Sequence, residues 1–352
     1  MIKGKVIILK KIFSIILVAV MMLSIASVSV NAANVEDLTA GERALLIMQR
    51  ADVNGDQVYS TDDVSIILKA AAGIIEIENE EFYDIDLDGY VSVRDAQLML
   101  EVVSGVGDLV SDEDALEAFN SLLNGVKSKK PGFTRTMTVV NPSAKVTSSG
   151  YPIILNSLNV KNMEFRDYIE KAAKLLGDKP EADELRATAT EFYKPQTETK
   201  TVAASSNMHY TYFPVNNLGW SSRLTMSDIS SISYGVQDGC MVFTVKLGSY
   251  TYTGSQYPTG TSGFSERQKL PYGKIFNIPA LGSDESATVK SVQLKNGVVM
   301  LKADLATGKI VSVDYSYSYV TDILTRNTEE NYTIDMQMVT TTNVTESYAM
   351  NH

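Results

Sequence analysis

The sequence predicts a multi-domain chain: a small all-α module wound around acidic loops, then an α+β domain whose helices pack on a curved antiparallel β-sheet. Three observations carry that expectation. An acidic pattern occurs twice, over 52–63 and 84–95, and each copy runs directly into an apolar helix. Helical periodicity dominates from about 112 to 193. Beyond Lys200 the apolar period changes to two, in segments rich in Val, Ile, Thr and Tyr.

The first stretch predicts export. Lys3, Lys5, Lys10 and Lys11 precede an apolar run over 12–25, and Val30-Asn31-Ala32 offers small residues for cleavage near Ala32 or Ala33. The apolar stretch nearly reaches membrane-spanning length, so an uncleaved anchor is the alternative to a signal removed at about residue 33. Cys240 is the only cysteine, which excludes an internal disulfide and a lipid anchor at the cleavage site.

Each acidic loop has twelve positions, and oxygens fall at 1, 3, 5, 7, 9 and 12, the spacing of an EF-hand-type calcium loop. In the first, Asp52, Asn54, Asp56, Ser60 and Asp63 offer side chains and Val58 its carbonyl. In the second, Asp84, Asp86, Asp88, Ser92 and Asp95 offer side chains and Tyr90 its carbonyl. Three carboxylates within five residues repel one another unless a hard cation neutralises them, so the expected cofactor is calcium at two sites. Loop one has Gln57 at its sixth position, where the backbone needs a positive φ that a Cβ disfavours; loop two has Gly89 there, and is expected to be the stronger site.

Ser60-x-x-Asp63 and Ser92-x-x-Asp95 open the following helices at capping-box spacing, with Asp in place of Glu or Gln. Val64, Ile66, Ile67 and Leu68 then match Ala96, Leu98, Met99 and Leu100. Upstream, Thr39-x-x-Glu42 precedes another apolar run and predicts a helix of the same kind that binds no metal.

Paired loop-and-helix segments that end on Asp resemble the type I dockerin, over about residues 39–107. The resemblance implies a calcium-dependent docking module whose partner is a cohesin domain of a scaffold protein. It implies in turn an extracellular or cell-surface assembly of the cellulosome kind, working in polysaccharide catabolism. Partner contacts are implied at the tenth and eleventh loop positions and the helices behind them: Thr61, Asp62 and Lys69, and Val93 and Arg94. The pairs Thr61-Asp62 and Val93-Arg94 differ, so two equivalent binding orientations are not implied.

Charge follows the loops. The net −11 is concentrated in 34–110, which holds about 17 acidic against about 4 basic residues, and nothing is basic enough to argue for nucleic acid. The domain boundary is expected near residue 110, where the short stretch 108–111 leaves open a flexible linker or a packed joint.

In the larger domain, helices are expected over 112–127, 164–176 and 181–193, the first stopped by Pro131-Gly132 and the last two separated by Gly177 and Pro180. Strands are expected over 228–236, 241–247, 298–304 and 309–320, with closing strands over 332–348, a turn at 305–308 and a long loop at 254–265. The layout is similar to lipoprotein-type half-barrels that cradle apolar ligands, an analogy of architecture alone.

Candidate chemistry is sparse. His209, expected within a strand, and Cys240 read as structural residues rather than nucleophile and base. A glycoside hydrolase would need two facing carboxylates, with Glu266, Asp284, Glu285, Asp304, Asp314, Asp322 and Asp335 as the pool, none in a local signature. Tyr315, Tyr317 and Tyr319 share one strand face, and Trp220 follows an Asn-rich turn. They are the candidate contacts for a polysaccharide or an apolar ligand, although core or half-core packing is the favoured reading of the tyrosines. The reading is thus a docking protein presenting a non-catalytic binding domain; the alternatives are a polysaccharide hydrolase and a calcium module that only braces its own chain.

Overall fold

The computed structural model describes residues 35–77, 79–150, 153–213, 222–253, 286–329 and 332–351. The expected export signal, the 254–265 loop, Trp220, Glu266, Asp284 and Glu285 lie outside them. The described elements are α1 Ala40–Arg50, α2 Thr61–Ala71, α3 Val93–Ser104, α4 Asp112–Lys129, β1 Gly132–Ser149, β2 Val160–Glu164, α5 Phe165–Leu176, α6 Pro180–Tyr193, β3 Gln196–Val202, α7 His209–Tyr212, β4 Ile229–Gln237, β5 Cys240–Leu247, β6 Tyr250–Thr253, β7 Ser286–Asp304, β8 Ile310–Glu329 and β9 Tyr332–Asn351. An antiparallel sheet with packed helices makes the class α+β. No described helix is long and apolar enough to cross a membrane.

The chain divides into two compact units. The first holds residues up to Leu122 together with Ser233–Phe243 and Leu301–Val311; the second holds Leu123–Ile232, Thr244–Met300 and the chain from Ser312 onward.

In the first unit, α1, α2 and α3 each start on the expected hydroxyl cap, and all three close a reciprocal capping box. Asp63 and Asp95 fill the third helical position as well as the last loop position, so one carboxylate ends the loop and starts the helix. The helices converge on Ala51, Val64, Ile67, Ile85, Ala96, Met99 and Leu109. α1 also meets α4 at Gly41, where a Cβ would lie 2.7 Å from the Glu117 backbone, an approach open only to glycine. The stretch 108–111 is a packed joint: Leu109 is buried in the core, and the Tyr234 hydroxyl accepts from Val110 N–H at 2.8 Å and donates to Val110 O at 2.9 Å.

The sheet runs in the order β2-β1-β9-β8-β7-β5-β4, with β3 also on β1 and β6 also on β7. The expectation of helices first and strands afterwards is corrected here. β1, β2 and β3 lie among the helices in sequence, and β1 pairs with β9 along nearly its whole length. The apolar pattern of β1 conceals it because the register shifts between Val140 and Ser143, which changes the parity of the covered face. Phe133 and Met137 are buried before the shift, Ala144 and Val146 after it, with Pro142 inside the bulge, where it removes no ladder bond. The bulge also frees Asn141, which donates to Phe192 O at 3.0 Å and accepts from the Thr342 hydroxyl at 2.7 Å. His209, expected on a strand, begins the short helix α7. The closing strand is a single one, β9.

Helices α5 and α6 cover one end of the sheet face through Tyr168, Ile169 and Ala189, packed with Ala144, Val146, Met336 and Met338. Elsewhere on the covered face Arg135 is buried beside Glu346, with Nε to Oε2 at 3.2 Å, and the Tyr348 hydroxyl donates to the same carboxylate at 2.6 Å. Burial alone would pull the guanidinium down, but Tyr348 and Glu346 outweigh it and hold Arg135 above its ordinary pKa. Replacing Arg135 by Met strips the buried carboxylate of its guanidinium, and urea unfolding should show a loss of roughly 3–5 kcal/mol. Arg135→Met combined with Glu346→Leu should recover most of it, because no buried charge then remains.

Candidate metal centre

Both acidic loops share the same main hydrogen bonds. The first residue accepts from the sixth, Asp52 Oδ2 from Gln57 N–H at 2.9 Å and Asp84 Oδ2 from Gly89 N–H at 3.0 Å. The fifth accepts from the seventh, Asp56 from Val58 N–H at 3.0 Å and Asp88 from Tyr90 N–H at 2.9 Å. The twelfth reaches back to the third, Asp63 from Asn54 N–H and Asp95 from Asp86 N–H, each at 3.2 Å. Backbone N–H groups thereby hold the acidic side chains around the inside of a turn, as a cation-binding loop requires.

The two loops differ in where the glycine sits. Positions four and six are left-handed in both: Gly55 at φ 72° and Gln57 at φ 70° in loop one, Leu87 at φ 60° and Gly89 at φ 91° in loop two. Each loop therefore holds one glycine and one strained residue, costing about 1–2 kcal/mol. Gln57 adopts the left-handed conformation that the sixth position needs, at the cost a Cβ carries, and Leu87 imposes a like strain on loop two, so backbone strain does not by itself rank the two sites. What remains different is charge, since the third position is Asn54 in one loop and Asp86 in the other.

Asp84, Asp86 and Asp88 bring carboxylate oxygens within 4.8 Å of one another, a group able to hold a metal ion. An oxygen-only donor set suits a hard divalent cation. Loop one supplies a second sign of fit, because Asp52 Oδ1 is buried without a hydrogen-bond donor. The electrostatics agree. Burial, and then the neighbouring charges of Asp63 and Asp56, push the Asp52 carboxyl up; burial and Asp95 do the same to Asp84, and burial, Asp95 and Asp88 to Asp86. The anionic forms of Asp52, Asp84 and Asp86 are thus disfavoured, first by burial and then by neighbouring charge.

The remaining candidates fall in definite places. Val58 and Tyr90 stand with exposed side chains, as residues used through their carbonyls do, while Ser60 and Ser92 cap α2 and α3. Thr61, Asp62, Lys69, Val93 and Arg94 are all exposed. Arg94 pairs with Asp86, Nε to Oδ2 at 2.8 Å, so a residue expected to face a partner also touches the loop. Sequence reasoning missed Arg50, in the last turn of α1, whose side chain is 9% exposed and whose guanidinium donates to Asp84 O at 3.3 Å. Its only signal was a base at a helix C-terminus.

Tyr315, Tyr317 and Tyr319 are 7%, 3% and 3% exposed, so the row is covered sheet face and not a solvent-facing platform. Alternation in β8 explains this, since odd positions share the face that carries Val313 and Ile323. The described carboxylates of the hydrolase pool are engaged locally. Asp304 closes the turn with Thr307, Asp314 lies 3.4 Å from the Ser312 hydroxyl, Asp322 accepts from Gln337, and Asp335 pairs with Arg326. Both imidazole nitrogens of His209 meet carbonyls, those of Ser206 and Pro131, and burial raises the pKa of the Cys240 thiol.

No family model matches the chain, and no curated protein or solved structure matches it.

Leu87→Gly should relieve its left-handed strain and stabilise the first unit by about 1 kcal/mol, read as a shift of the urea midpoint at constant m. Asp95→Ala should do the opposite. Its carboxylate is fully buried and accepts from Ile85, Asp86 and Ser92 N–H, so its removal should cost on the order of 3 kcal/mol.

Proposed function

We propose that residues 39–107 form a calcium-binding docking module of dockerin type, which attaches the exported chain through a cohesin domain to an extracellular, cellulosome-like complex and presents the β-rich domain as a non-catalytic binding part. The observation that carries this reading is the pairing of two matched oxygen-lined loops with exposed residues just behind them. Thr61, Asp62 and Lys69 on α2, and Val93 and Arg94 on α3, stand in solvent, joined by Leu68 at 42% and Leu100 at 50% exposure. Apolar residues open to water beside a folded core are what a docking face leaves exposed before its partner arrives. A module serving only as an internal brace would have these helix faces covered.

Calcium is the hard cation of choice because the loops offer carboxylates, a hydroxyl and a carbonyl from one flexible turn, a set that suits a large ion with many oxygens. The ion would act structurally, fixing each loop so that α2 and α3 are held in place. With calcium at 100 times its Kd, each site adds about 2.7 kcal/mol to folding, so chelator should lower the thermal midpoint of the first unit.

Asp84→Ala with Asp88→Ala should weaken calcium binding at the second loop on the order of 100-fold in titration calorimetry. Unchanged calcium heats would sink the calcium assignment. Pull-down by a panel of cohesin domains, with calcium and again with chelator, tests the docking half; retention that ignores calcium, or no retention by any of them, argues against it.

A further inference from the structure

We infer that the calcium module is a metal-dependent clamp on a hairpin of the sheet, with Tyr234 as the residue it grips. The inference rests on the calcium reading above and adds what the ion controls.

Tyr234 lies on β4, more than a hundred residues beyond the loops in sequence, yet it packs against the core of the module inside the first unit. Its hydroxyl bonds both the N–H and the carbonyl of Val110, and burial pushes its pKa up to about 12. Residues of the loops themselves belong to the same core. Val53 is the second residue of loop one, Tyr59 the eighth, and Ile85, fully buried, the second of loop two. The backbone that would place the oxygens around an ion therefore also places part of the core against which Tyr234 packs.

A second contact lies at the tip of the same hairpin. Asp238 and Gly239 form its turn, with φ 51° and 72°, the two left-handed residues of a tight hairpin. Gln57 lies over Gly239 so closely that a Cβ built there would overlap its Oε1, and Gly239 O accepts from Leu305 N–H at 3.0 Å. The residue that departs from glycine at the sixth loop position is thus the one that touches the hairpin. From Tyr234 the packing continues to Phe243, with ring centroids at 6.3 Å, and from Phe243 to Phe119 at 6.5 Å.

Removing the ion leaves crowded carboxylates that repel, and the loops relax by moving apart. Val53, Tyr59 and Ile85 then lose their positions, and the core against which Tyr234 packs loosens. Linkage makes the coupling reciprocal: if calcium holds the hairpin, the hairpin raises calcium affinity by the same factor.

Hydrogen exchange on the full chain, read by mass spectrometry with calcium and with chelator, tests the clamp. Amides of 233–240 should exchange about tenfold or more faster in chelator, while the paired centre of β1 and β9 stays unchanged. Tyr234→Ala should weaken calcium binding about fivefold or more in calorimetry, and Tyr234→Phe, which keeps the ring and loses both hydroxyl bonds, by less. If the alanine variant does not fold, the phenylalanine variant and the wild-type exchange carry the test. Calcium that binds with normal heats while 233–240 exchange at the same rate overturns the clamp and leaves the calcium reading standing. Absence of calcium binding removes both.

Discussion

The constraint on which the first unit depends is the repulsion among carboxylates folded into each loop. Asp84, Asp86 and Asp88 cannot lie within 4.8 Å of one another as anions without a large cost unless positive charge sits among them. Arg94 and Arg50 supply part of that charge, one exposed against Asp86 and the other buried behind the start of the loop. Neither replaces an ion, because a guanidinium at the edge cannot satisfy oxygens that face inward.

The loops share the same kind of backbone strain. Both need left-handed backbone at the fourth and sixth positions, and each spends its one glycine on a different one. The residue left over is put to use. Gln57 packs over the hairpin tip, and Asp63 and Asp95 serve both loop and helix, so a change at any of these positions disturbs two structures together.

Much of this was legible in the sequence, and the losses have physical causes. The loops, their caps and α1 were readable because hydroxyl and carboxylate spacing is a local signal. Helices α4, α5 and α6 were readable from their apolar faces. β1 was not, because its bulge changes parity midway and its buried set includes Arg135 and Ser148. β3, polar on both faces and paired with β1 partly through Thr134–Thr201 and Thr138–Thr197 hydroxyl contacts, offered no apolar alternation at all. Left-handed Leu87 was unreadable for a different reason: loop geometry imposes that φ against the residue's own preference. The role of Tyr234 was equally hidden, since long-range packing leaves no mark on spacing.

The packed joint changes what metal binding can do. On a flexible tether, a calcium module that melts takes nothing else with it, and the free energy of the ion stays within its own residues. Here Leu109 and Val110 belong to the module core, Gly41 locks α1 against α4, and Tyr234 brings in a strand from far along the chain. An ion held there would stabilise every element that packs on the loops, and the compact unit that contains them extends past residue 110 to include strand tips more than a hundred residues away. On the clamp proposed above, cation binding and hairpin order would be two readings of one equilibrium, because the residues that would hold the ion and the contact of Tyr234 share one core.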